Sequence, residues 1–171
     1  MKIALVQQHA THDKAANMQR GLAAIDRAAA TGAQVICFAE LAFEWFHPQQ
    51  PADSNVRSLS ETLDGPLVQA FQAKARERGV VIVLNFFERD GLETYDCSPV
   101  IDANGIVLGM TRMVHITDYP CFHEQGYYTP GDTGAPVYDT RFGKIGVAMC
   151  YARHFPEYMR ALALGGADLV V

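Results

Sequence analysis

No stretch of these 171 residues approaches the roughly 18 consecutive apolar positions of a membrane-spanning helix, so an integral helical membrane protein is excluded. Basic residues are in deficit. Lys and Arg number 14 against 19 Asp and Glu, a balance that offers no footprint for nucleic acid or an anionic membrane surface. Charge of either sign is sparse, 19% of residues against 49% hydrophobic, which fits a single domain spanning 1–171 with a core of its own. The four cysteines, Cys37, Cys97, Cys121 and Cys150, form no CxxC pair and no metal-ligand spacing. That removes zinc-ribbon and dithiol readings and leaves free thiols, the default of a reducing compartment. The opening MKIALVQQ lacks a small-residue cleavage site, so no secretory signal is predicted and the expected location is cytoplasmic. Repeats, low-complexity tracts and linkers are missing too.

What is present is alternation of strand and helix patterns. KIALVQ at 2–7 predicts a strand. Met18, Leu22, Ile25 and Ala29 then share one helical face over 14–31, with Asp13 placed to cap and Gly32 to stop it. VICFA at 35–39 is a continuous apolar run, as in a strand covered on both faces. A second helix is predicted from Pro66 to the Gly79 stop, followed by the strand VVIVLNFF at 80–87. Turn sequences at Asp90-Gly91 and Ala103-Asn104-Gly105 predict an antiparallel meander over 84–114. A long aromatic loop covers 117–135, a length often associated with function. Strands near 136–139 and 144–149, a helix over 156–165 and a strand at 168–171 close the chain. The class is α/β, a mixed sheet with helices on its faces. Because the sequence stops inside an apolar strand pattern, a chain cut short at its C-terminus is expected.

Two positions carry candidate chemistry. In KIGVAMCYARHFPE, residues 144–157, an apolar run delivers Cys150 just ahead of the predicted helix. A thiol at a helix N-terminus meets backbone N–H groups and the positive end of the dipole, which lowers its pKa and offers an oxyanion hole. A packed core thiol is the competing reading. Glu40 directly follows VICFA, at the C-terminal strand edge where α/β sheets place their sites, or else it is a solvated loop acid. Trp45, Phe46 and His47 either line a pocket or cover the core. Arg153 is expected to pair with Glu157 four residues on.

Six stretches, KIALVQ, GAQVICFAELAF, LDGPLV, IDANGIVLG, YYTPGD and KIGVAMCYARHFPEYMRALALGGADLVV, resemble in order the nitrilase superfamily of carbon–nitrogen hydrolases. The resemblance is closest to its N-carbamoyl-amine and N-carbamoyl-amino-acid amidohydrolases, and covers the first half to two-thirds of such a protein. It implies an α-β-β-α sandwich, homo-oligomers, a small amide, carbamoyl or nitrile substrate, and neither metal nor organic cofactor. It also implies roles: Cys150 as nucleophile, Glu40 as general base, Glu124 as assisting acid, and the Tyr151 backbone N–H as an oxyanion donor.

One position departs from the family. Where its members read like RKMHI, this chain reads Arg112-Met113-Val114-His115-Ile116, so a thioether replaces the ammonium that would hold the oxyanion and offset two carboxylates. An extended 110–116 would turn Arg112 away from Met113 and bring His115 to its face. Three accounts follow: a divergent hydrolase with an altered charge balance, a degenerate member that binds an amide-like ligand without turnover, or a site whose lysine was replaced on purpose to trap a complex.

Overall fold

The computed structural model describes every residue from Met1 to Val171. In chain order the elements are β1 (Ile3–Val6), α1 (Lys14–Ala30), β2 (Val35–Phe38), a single-turn α2 (Val56–Leu59), α3 (Pro66–Arg78), β3 (Val81–Val83), β4 (Phe86–Asp90), β5 (Glu93–Ile101), β6 (Val107–Arg112), β7 (Val137–Thr140), β8 (Gly143–Gly146), α4 (Pro156–Leu164) and β9 (Leu169–Val170). The helix ends follow local chemistry. Asp13 Oδ1 accepts from the Ala16 N–H at 2.9 Å to start α1. Pro66 opens α3, where its missing N–H is no loss, and Gly79 ends it at φ +64°. No helix is long and apolar enough to cross a membrane.

Strands β1, β2 and β3 run parallel, and β4, β5 and β6 add antiparallel neighbours to make one mixed sheet. A second sheet has the order β7-β8-β9. The predicted strand over 80–87 is recovered as two pieces, β3 and β4, on the same edge of β5 and in one continuous register. The interruption at Leu84 and Asn85 has a cause: the Leu84 N–H reaches the Pro99 carbonyl at 3.2 Å, but Pro99 has no N–H to return.

Layers stack as helix, sheet, sheet, helix. One cluster joins Ile25 of α1 and Leu67, Val68, Phe71 and Ala75 of α3 to Ile36, Ile82 and Phe86 of the first sheet. The other lies between the sheets and reaches α4: Val35, Val81, Val83 and Phe87 meet Tyr138, Ile145 and Val147, with Tyr158 and Leu162 behind. Alternation along the strands decides which residue enters which layer, and that choice builds the site below.

Gly21 in α1 makes the first cluster sensitive. Phe38, Phe43 and Phe71 pack with ring centroids 4.8–5.5 Å apart, and a Cβ on Gly21 would lie 2.5 Å from Phe43 Cε1. Overpacking of this kind costs about 1–3 kcal/mol, against a helix-propensity gain of about 1 kcal/mol. The fully buried rings have nowhere to move, so Gly21→Ala should lower the midpoint of thermal unfolding by a few degrees. An unchanged or higher midpoint would mean the rings yield.

Candidate active site

On β5, Tyr95 and Cys97 face the helices, while Asp96 and Ser98 face the second sheet. Cys97 is opposite Arg112 and Ser98 opposite Thr111; one step further, the Met113 N–H donates to the Asp96 carbonyl at 2.9 Å. Met113 and Asp96 are therefore cross-strand neighbours on the inner face, and both are buried, at 1% and 0% exposure. Asn85 shares that face. Its Oδ1 accepts from the Leu41 N–H at 2.7 Å, and its Nδ2 donates to Asp96 Oδ1 and, at 3.2 Å, to Ser98 Oγ. One buried amide thus ties the turn after β2 to the centre of β5.

Three loops bring the candidate groups to this face. Glu40 lies just beyond the C-terminal end of β2, and Leu41 after it has φ +46°. Cys150 opens a 3-10 turn, Cys150–His154, with φ +41°. Positive φ at bulky residues is strained backbone, and here it occurs beside both groups. Glu124 starts another 3-10 turn, Glu124–Gly126, in the aromatic loop and is wholly buried. Cys150 Sγ lies 3.9 Å from Glu124 Oε1, and Glu40, Glu124 and Cys150 each bring a donor atom within 4.8 Å of the others. A divalent ion could bridge that spacing. One thiol between two acids is equally the donor set of a nucleophile with its proton acceptor and proton donor.

The electrostatics favour protons here. Burial, then the charge of Glu40, raises Glu124 to about 7. Burial and Glu40 also push Asp96 well above the carboxylate range, against the opposing Asn85 bond. The Cys150 thiol is driven far up by burial, then by Glu40, Glu124 and Asp96. No lysine, arginine or histidine forms an ion pair with Glu40, Asp96 or Glu124.

The structure corrects several expectations. Cys150 is not at the N-terminus of α4, because the 3-10 turn intervenes, and its thiol is raised rather than lowered. Arg153 does not pair with Glu157; its Nη1 donates to the Cys150 carbonyl at 2.9 Å. His115 stacks on Phe155 with centroids 3.6 Å apart and makes no ion pair with the acids. Arg112 does turn away from Met113, into the opposite layer. Trp45 stacks on His12 at 4.4 Å, by a cavity of about 440 Å³ with Lys14, Glu44 and Glu61, and no cysteine lines that cavity. Tyr151 follows Cys150 on its turn, with its ring half-turned to solvent against His154 and Phe155. A smaller cavity of about 150 Å³ is lined by Cys150, Glu40, Asn85 and Ser98, and also by Cys37. Asp96 and Asn85 were missed in the sequence. An acid inside the strand run ETYDCSPVI looks like ordinary polar alternation, and only the β5–β6 register places it beside Met113.

Comparison with known proteins shows the family and the fold. The sequence profile of the family described as "Carbon-nitrogen hydrolase" matches residues 2–171. A citrullinase from Francisella tularensis is 35% identical over 173 residues, covering 100% of this chain and 60% of that protein. An N-carbamoylputrescine amidase from Solanum tuberosum is 36% identical over 168 residues, covering 98% of this chain and 56% of its own length. A mutant amidase from Nesterenkonia sp. AN1, solved with the acetamide moiety of fluoroacetamide added covalently at its active-site cysteine, superposes with a TM-score of 0.85 at 28% identity, over 99% of this chain and 63% of that one. The chain thus spans somewhat over half the length of the relatives it matches.

Proposed function

We propose, from the premise that this chain belongs to the carbon–nitrogen hydrolase family, that it carries the catalytic face of a thiol-dependent hydrolase acting on a non-peptide C–N bond of a small molecule. The observation that carries the reading is the convergence of Cys150, Glu40 and Glu124 within 4.8 Å at the inner sheet face. Cys150 adds to the carbonyl or carbamoyl carbon and its thiol proton passes to Glu40. Glu40 returns that proton to the departing nitrogen, which leaves as ammonia or amine. Water, deprotonated by Glu40, then cleaves the thioester and regenerates the thiol. Glu124, 3.9 Å from the sulfur, orients the nucleophile, and the Tyr151 N–H is a candidate oxyanion donor. The names of the relatives point to small amides and carbamoyl amines as the general substrate class.

Met113 and the raised thiol favour a second reading, in which the site binds an amide-like ligand but turns it over slowly or not at all. Reagent shape separates recognition from mere thiol exposure. Fluoroacetamide, which carries the amide group, should modify Cys150 before the exposed Cys121, with loss of fluoride. A thiosulfonate reagent without an amide should reverse that order. Peptide mass mapping reads both. If fluoroacetamide also takes Cys121 first, the site does not recognise amides and both readings lose their support.

A further inference from the structure

We infer that the site takes a cationic planar carbon centre, a guanidinium or amidinium group, in preference to a neutral amide. This rests on Cys150 as nucleophile and names the substrate class for that reading. The observation is a cluster of acids with no cation among them. Only five buried side-chain polar atoms in the chain lack a hydrogen-bond partner, and four of them, Glu40 Oε1, Asp96 Oδ2, Glu124 Oε2 and Tyr128 OH, belong to this cluster. Asp96 and Glu124 are completely buried, no basic side chain pairs with any of the three acids, and position 113 holds a thioether beside Asp96. A neutral amide would enter this ring of acids with no cation to receive the oxyanion it must become. A guanidinium presents a planar fork of N–H donors that matches carboxylate oxygens, and its charge answers theirs. The cavity of about 150 Å³ beside Cys150 and Glu40 has room for a group of a few heavy atoms.

The chemistry fits the missing cation. Attack of the thiolate on a guanidinium carbon gives a tetrahedral adduct with no net charge, so no oxyanion donor is required. The thiol proton goes through Glu40 to one amino group, the C–N bond breaks, ammonia leaves, and an S-amidino-cysteine cation remains. Water adds to that carbon and the C–S bond breaks, restoring the thiol and giving a urea. The balance is guanidinium plus water to urea plus ammonium, with no oxidant or reductant. A bound cation would also favour the thiolate, which three acids otherwise oppose. A reaction of this class would supply the ureido compounds that the named relatives consume.

Two isosteric pairs test it on the wild-type chain without relying on turnover. Alkylation of Cys150 by 2-chloroacetamidine and by 2-chloroacetamide is followed by peptide mass spectrometry, with exposed Cys121 as the internal reference for intrinsic reagent reactivity. The Cys150-to-Cys121 ratio should be about tenfold or more higher for the amidine, the scale of one charge-assisted hydrogen bond. Millimolar guanidinium should protect Cys150 while equal urea does not, and methylguanidine should yield ammonium and methylurea. Met113→Lys should invert the reagent preference. An equal or amide-favouring ratio in wild type overturns the guanidinium assignment and leaves the amide hydrolase reading in place. Failure of both reagents to reach Cys150 overturns both.

Discussion

Replacing Met113 with lysine should raise turnover of small amides and carbamoyl amines by about 10²–10³-fold, the scale measured for a single oxyanion-stabilising donor. The position is fixed by its hydrogen bond to the Asp96 carbonyl, and the side chain already points into the cluster that holds Phe87, Tyr128 and Met149. A lysine of similar length would place its ammonium among Glu40, Asp96 and Glu124. Burying a lone cation there would be costly, but three acids without a counter-ion, two of them completely buried, reverse the sign. The thiol, opposed by those same charges, should ionise more readily, so alkylation of Cys150 at neutral pH should accelerate in step with turnover. Stability should respond as well. Glu124 is raised from 4.5 to about 7, so the native state holds a proton the unfolded chain has released. That makes the wild type lose stability as pH rises from about 4.5 to about 7, with a plateau above. A lysine that lowers Glu124 should flatten this slope. Thermal melts of both proteins at pH 5 and pH 8 would read it. No gain in turnover together with an unchanged slope would mean that the 113 side chain does not reach the acids.

That prediction depends on features of unequal legibility. The departure at Met113 was visible in the sequence, because one position broke an otherwise matched run. The helices were visible through caps and stops, Asp13 and Gly79 among them, since those act within a few residues. The strand over 80–87 was visible as apolar sequence, yet its break depends on Pro99, fourteen or so positions later and across the sheet. Asp96 could not be singled out, because burial of an acid is decided by register between β5 and β6 and not by its neighbours in sequence. The pKa direction at Cys150 was misjudged for a related reason. The local pattern promised a helix dipole, and the long-range packing supplied burial first and then three acids in its place. At 4 Å and an effective dielectric constant near 20, one like charge outweighs a partial helix charge by a factor of about two or more.

The opposite face of β6 carries the largest stability prediction. Arg112, 4% exposed, makes a two-bond fork to Glu88, Nε to Oε2 at 2.7 Å and Nη2 to Oε1 at 2.9 Å, and Glu88 is itself 2% exposed. The same guanidinium reaches Asp90 at 2.8 Å and Asp132 at 3.1 Å and lies 4.0 Å over the Tyr95 ring. Those two aspartates are mostly solvated, so their pairs contribute about 1 kcal/mol or less. Glu88 decides the outcome. Arg112→Met would leave its carboxylate buried and unanswered, a loss of about 3–5 kcal/mol. For a chain of this size that corresponds to a fall in unfolding midpoint of about 10 °C. Adding Glu88→Leu should recover most of the loss, because an apolar pair in that layer carries no desolvation cost. Urea unfolding of the wild type, both single variants and the double variant gives the coupling energy directly. Were Arg112→Met alone to stay within about 1 kcal/mol of wild type, Glu88 would have to reach water through the β4 edge, and the ion pair would be a surface contact and not part of the layer.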